Sequence, residues 1–195
     1  MGLSLADCMD LGYNKGNHLS NKERMAMTSK RPAAERVLRA AIAYNGTDAA
    51  RIHHLIKVTG FAQAIAEAEV TDEDTRYTLE IAAILHDIGI HEAERKHGSS
   101  AGPYQEQEGP AVARSILEPL GMPEEITERV CWLIAHHHTV RPIGGMDHQI
   151  LLEADFLVNA YEDQLPHAAA ETFCRTVART KTGTEMIRSL YLSNE

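Results

Sequence analysis

The sequence predicts an all-α domain, and three observations carry that expectation. Apolar residues recur at helical spacing along most of the chain from Pro32 onward, no stretch sustains the period-two alternation of a strand, and no segment repeats another. At 195 residues the chain is long enough for one domain with a sizeable core. Residues 1–30 carry Gly12, Asn14, Gly16, Asn17 and Asn21 without clear periodicity, and read as a loosely ordered arm or a short helix. Residues 31–195 read as the folded domain.

The elements follow from their punctuation. Pro32 suits a first helical turn, and Ala33 to Tyr44 has helical composition up to the break at Asn45-Gly46. Thr47 or Asp48 can cap the next helix, which runs to about Glu69. Thr71-Asp72-Glu73-Asp74 opens a third, ending at Asp87-Ile88-Gly89. Glycine, serine, proline and charged residues from Ile90 to Gly109 read as a loop, and Pro110 to Leu120 as a short helix stopped by Gly121. Pro123 with Glu124 and Glu125 starts a helix that reaches His136; Arg141 to Asp147 is a Gly/Pro loop; His148 to Tyr161 is helical. Roughly Ala168 to Tyr191 is helical too, with a break near Gly183.

Composition narrows the function. A formal net charge of −9 makes nonspecific nucleic-acid binding a poor expectation, although a local basic pocket for one phosphate stays compatible with it. Cys8, Cys131 and Cys174 are far apart, odd in number and without a C-x-x-C, which argues for a reducing compartment and against a disulfide framework or a zinc ribbon. No apolar run approaches a membrane span, and the first residues lack the basic-then-apolar order of a signal peptide, so the expected location is cytoplasmic. Eleven histidines fit a metal protein better than an average one, although surface positions such as His18 and His167 account for some.

His86-Asp87 is the most informative pair. It ends the apolar run from Leu79 to Leu85, where burial of both polar groups is costly unless something compensates. A divalent metal compensates, because its ligands are neutral imidazole and ionised carboxylate. A carboxylate at a helix C-terminus is otherwise disfavoured by the helix dipole. Adjacent helical residues diverge, so both can reach one ion only where the helix is opening.

Helical phase sorts the other candidates. His54 shares the apolar face of Val58, Phe61, Ala62 and Ile65, whereas His53 lies with Lys57, Gly60, Ala64 and Glu67. His54 is therefore the inward one, as a metal ligand or as a core histidine bonded to a carbonyl. Ile126, Val130, Leu133, Ile134 and His137 form one stripe, with His136 on the adjacent flank above Trp132, so either histidine can face the interior. His138 leans toward the following loop, where a solvated helix end is the plain alternative. Asp155 shares a face with Leu151 and Val158 inside a strongly apolar helix, and a carboxylate there needs a metal or a strong hydrogen-bonding partner. Glu153 is expected to point elsewhere, into solvent.

Four stretches carry a family resemblance: Arg51 to Val58 around His54, Ile84 to Gly89 around His86-Asp87, Ala135 to Thr139 around the histidine run, and Glu153 to Val158 around Asp155. Over roughly residues 48–190 the chain resembles the HD-domain metal-dependent phosphohydrolase superfamily. The resemblance implies an all-helical fold of five or more core helices and a divalent metal held by His54, His86, Asp87 and Asp155. That metal would be Mn, Fe, Ni, Co or Zn, with Mg also compatible, one per chain. The implied reaction is hydrolysis of a phosphomonoester or phosphodiester of a nucleotide or related small molecule, with Asp87 orienting water or taking its proton. His136 and His137, the other catalytic candidates, would bind phosphate or a second metal.

Two positions depart from the family. Ile90 stands where many members have Lys or Glu, leaving His91, Glu92 or Lys96 as substitutes. Gln105 stands where two-metal branches have a histidine, and an amide is a weak ligand for a transition metal. These departures motivate a rival reading, a catalytically weak sensor of nucleotide or metal. A diiron oxygenase is a third, opposed by the incomplete second ligand set. Lys57, Lys96, Arg114 and Arg141 are candidate phosphate contacts. The expected partner is a small phosphorylated substrate, without a membrane, and a homodimer is one arrangement the arm would allow.

Overall fold

The computed structural model describes residues 34–193. The expectation of an N-terminal arm falls on residues outside this range. Among the described residues the protein is all α, with nine α-helices and one 3₁₀ turn: α1 (34–45), α2 (Ala49–Glu69), α3 (Glu73–Leu85), α4 (Ile90–His97), α5 (Gly102–Leu117), the 3₁₀ turn Glu118–Leu120, α6 (Glu124–Ile134), α7 (Met146–Glu162), α8 (His167–Thr176) and α9 (Lys181–Tyr191).

The helix starts obey local rules. The Asp48 side chain caps α2 by accepting from Arg51 N at 3.2 Å, and Asp72 caps α3 through Thr75 N at 2.8 Å. Glu73 and Asp74 occupy the first turn of α3, where the helix dipole favours carboxylates. Helix α4 closes on Gly98 at φ 66°, a left-handed position suited to glycine, with Arg95, Lys96 and His97 in its last turn.

Helix α7 is the centre of the fold. It buries 12 of its 17 residues and packs on α2, α3 and α9. Helix α3 lies between α7 and α6 and carries its own buried run from Leu79 to Leu85. Helix α5 braces α6 on one side and α4 on the other. One apolar core, from Val37 and Ala41 on α1 to Ile187 on α9, joins the set.

Four expectations need correction. The segment from Ile90 to Gly109 is not a loop: α4 fills its first part, and α5 begins at Gly102 and runs through Pro110. Helix α4 is short and charged, held by Glu92 pairing with Arg95 and by burial of Ile90 and Ala93, so apolar periodicity misses it. Pro110 lacks an N–H, but burial of Glu108, Gly109, Ala113 and Leu117 carries the helix past it. The C-terminal break lies between Thr176 and Lys181, not at Gly183, which belongs to the first turn of α9.

The fourth correction concerns Glu153, which is 0% exposed. Its carboxylate accepts from Arg179 N at 2.7 Å, Thr180 N at 3.0 Å, Gln149 Nε2 at 2.6 Å and the Thr180 hydroxyl. It thus receives the polar groups at the start of α9, where an anion is favoured. Gly183 permits the approach, because a Cβ there would collide with the Glu153 carboxylate.

Candidate metal centre

Two helix C-termini and the buried faces of two further helices meet at one place. His86 and Asp87 occupy the turn that leaves α3, and His137 the turn that leaves α6. His54 comes from the buried face of α2, and Asp155 from the centre of α7. His53 is exposed, as the helical phase predicts.

The last carbonyls of a helix have no intrahelical partner, and here two of them orient imidazoles. His86 Nδ1 donates to Ala83 O at 2.9 Å, and His137 Nδ1 donates to Ile134 O at 2.7 Å. Both are three residues back, the same device at two helix ends. His54 Nδ1 donates instead to Glu162 Oε2 at 2.7 Å. In each neutral ring the other nitrogen, Nε2, then carries a lone pair. All three Nε2 atoms face the carboxylates of Asp87 or Asp155.

The separations are those of a coordination shell. His54 Nε2 lies 3.2 Å from His86 Nε2 and 3.2 Å from Asp155 Oδ1. Asp87 Oδ2 lies 3.5 Å from His54 Nε2 and 3.6 Å from His86 Nε2, and Asp155 Oδ1 lies 3.5 Å from His86 Nε2. Metal–ligand bonds of 2.0–2.3 Å place neighbouring donors of a tetrahedral or octahedral ion about 2.8–3.8 Å apart. Electron-pair donors this close repel one another unless protons or a cation lie among them. The donor set therefore fits a divalent metal, and its mixture of imidazole and carboxylate suits a transition ion.

Electrostatics point the same way. Burial works against a charged His54, but the carboxylates of Asp155, Asp87 and Glu162 outweigh it and hold its pKa up at about 9. His86 is likewise raised: burial opposes its charge, and Asp87 and Asp155 overcome that. For Asp87 burial favours the neutral acid, yet His86 and His137 hold it well below the usual carboxylate range; for Asp155, His54 and His86 do the same. The carboxylates are ionised, His54 holds a proton near neutral pH when no cation takes its place, and His86 is shifted the same way.

Asp87 faces two ways. Its Oδ2 belongs to the cluster above, while its Oδ1 lies 3.3 Å from His137 Nε2. That nitrogen is buried and makes no hydrogen bond of good geometry. Ligand atoms of Asp87, His137 and His138 all lie within 4.8 Å of one another, as do those of His54, His86 and Asp87. His138 is held by Glu106, which accepts from its backbone N–H at 3.0 Å and from the Thr139 hydroxyl at 3.0 Å, and Gly102 lies against its ring. His136 does not join the cluster. Its ring stacks on Trp132 at 4.2 Å and its Nδ1 donates to Trp132 O at 2.7 Å.

Gln105 is buried, its Nε2 donating to Ser100 O at 2.7 Å and its Oε1 lacking a hydrogen-bond partner. Ile90 is buried at 8% exposure. Of its possible substitutes, His91 contacts Arg51 at 3.0 Å, Glu92 pairs with Arg95, and Lys96 pairs with Glu108. Lys57 pairs with Glu162, one hydrogen bond from His54. Arg114 is bound to Glu124 and Glu128, and Arg141 donates to Thr176 O. Sequence reasoning missed Glu106 and Glu162. Glu162 had a signal, since it stands two helical turns beyond Asp155 on the same face of α7.

An all-α bundle with a His, His-Asp and Asp set between its core helices defines a class of protein. The chain belongs to the HD domain family, whose model, described as HD domain, matches residues 51–188. That span contains every residue of the cluster. Members of this family are generally metal-dependent phosphohydrolases. No curated protein and no solved structure matches the chain significantly. Among the described residues no helix is long and apolar enough to cross a membrane.

Proposed function

We propose that the protein is a metal-dependent phosphohydrolase acting on a phosphomonoester or phosphodiester of a nucleotide or related small molecule. The observation that carries this reading is the convergence of the His54, His86 and His137 Nε2 atoms on the carboxylates of Asp87 and Asp155, with every Nδ1 committed elsewhere. His54, His86, Asp87 and Asp155 hold the ion. When bound, the ion supplies Lewis acidity at a phosphoryl oxygen and lowers the pKa of water. Asp87 has a side chain 23% exposed against 10% for Asp155, so water and substrate approach from its side. Its depressed pKa suits it to orienting water through a hydrogen bond rather than storing a proton. His137 Nε2, buried and without a hydrogen-bond partner, is available to a second cation or to the phosphate of the substrate. His136, tied to Trp132, supports the turn that presents His137.

A specific observation favours the sensor reading as second. Arg51, Lys57 and Lys96, on α2 and α4, are committed to Glu94, Glu162 and Glu108, which leaves little free positive charge there for a phosphate. One experiment separates the readings. The untagged protein is analysed for metal, then assayed for phosphate release from a panel of nucleotides and phosphate esters with Mn, Co, Ni, Fe, Zn and Mg. Turnover that is lost in His54→Ala and in His137→Ala supports the hydrolase. Nucleotide binding without turnover under every metal supports the sensor.

A further inference from the structure

Glu162 is used by nothing in the reaction scheme, yet it makes the least expected contact of the cluster. His86 and His137 are oriented by helix-end carbonyls, which any sequence supplies at those places. His54 lies in the second turn of α2, inside the helix, where each carbonyl already accepts from its own helix, so that device is closed to it. A side chain from another element has to do the work. The Glu162 carboxylate does it from the last turn of α7, with Oε2 2.7 Å from His54 Nδ1 and Oε1 on the Lys57 ammonium. Lys57 stands three residues after His54 on α2, so the same helix presents the imidazole and the cation that anchors its partner. A carboxylate at a helix C-terminus is unfavourable, and this one is held there by two contacts reaching across to α2.

We propose that Glu162 is a positioning residue for the metal centre, fixing the His54 tautomer with Nε2 free and raising the donor strength of that nitrogen, while Lys57 holds the carboxylate in place. The inference rests on the reading of the cluster as a metal site. Its consequence is an asymmetry in the set: His54 is charge-assisted from behind, whereas His86 and His137 have neutral carbonyls there. His54 is then the most strongly donating imidazole, and metal retention depends on a residue that touches no metal.

The test uses the full chain, stripped of metal, with Zn(II) as the probe and chelator competition as the readout. The wild type is compared with Glu162→Ala, Glu162→Gln, Lys57→Met and His54→Ala, and metal-free melting is recorded for each. Glu162→Ala is expected to weaken Zn(II) binding about 10- to 100-fold. Glu162→Gln keeps a neutral acceptor for Nδ1 and is expected to recover the part of that loss due to the tautomer, while the two variants melt alike without metal. Lys57→Met is expected to lose less than Glu162→Ala. Unchanged affinity in Glu162→Ala beside a large loss in His54→Ala overturns the role of Glu162 and leaves the metal site standing. A loss in Glu162→Ala that Gln does not rescue, and that tracks a fall in metal-free melting, overturns it as merely structural. Wild type binding no tighter than His54→Ala overturns the metal reading, and this proposal with it.

Discussion

Loading metal into the metal-free protein should release protons, and the number follows from the cluster. His54 has a pKa of about 9 without metal, so near neutral pH its imidazole is almost wholly protonated. A metal ligand must be the neutral imidazole, so the ion competes with that proton for Nε2. His54 alone should lower the apparent affinity at pH 7 by about 100-fold relative to the fully deprotonated site. His86 is raised as well and adds to the penalty. Between pH 6.5 and 8 the affinity should rise by at least about tenfold per pH unit, and one to two protons should appear per ion bound. Calorimetry in two buffers of different ionisation enthalpy counts those protons directly.

The sign for stability is opposite in the two forms. A raised histidine pKa stabilises the metal-free fold fully below the unfolded value near 6.5, and that contribution is lost as pH rises through about 9. Metal-free melting should therefore fall across this window, while the gain in melting on adding metal should widen. Affinity independent of pH, with no proton released, would refute the account of His54 as a charged group awaiting a cation.

Three further expectations come from packing. His53→Ala should leave metal content unchanged and His54→Ala should abolish it, as read by elemental analysis; equal losses would mean that the phase of α2 is wrong. In Gly89→Ala the new Cβ would lie 2.6 Å from Gly109 N and 2.8 Å from Gln105 O, both backbone atoms of α5 that cannot rotate away. That clash should cost roughly 2–3 kcal/mol and lower the melting temperature by roughly 5–10 °C, and a wild-type melt would sink the claim. Glu153→Ala strands several buried donors at the start of α9 and should cost about 3–5 kcal/mol, with metal affinity retained in the folded fraction. A cost below about 1 kcal/mol, measured by denaturant titration, would show that water replaces the carboxylate there.

Local order along the chain determined more of this protein than its termini or loops suggest. Helical phase alone separated His54 from His53 and set Asp155 among buried residues, because a 3.6-residue period forces each side chain to one side of its own helix. The acidic caps Asp48 and Asp72 mark the starts of α2 and α3 for the same local reason. The pairing of His86 with Asp87 at an opening helix end was legible because a polar pair there has no cheap apolar explanation.

What crosses between helices was not legible. Helix α4 and the early start of α5 depend on burial against neighbours rather than on apolar spacing, so charge and proline misdirect a local reading. Glu153 reads as a surface acid until α9, some 27 residues later, brings its N-terminus to the carboxylate. Spacing puts His137 on the apolar stripe that α6 begins and His136 on the flank above Trp132 yet leaves either free to face the interior, and only the turn after Ile134 sends one ring to Trp132 and the other to Asp87. The partner of His54 lies 108 residues away, on a helix whose packing against α2 no local pattern specifies. Short-range periodicity decides which way a side chain faces; only the assembled bundle decides what it meets.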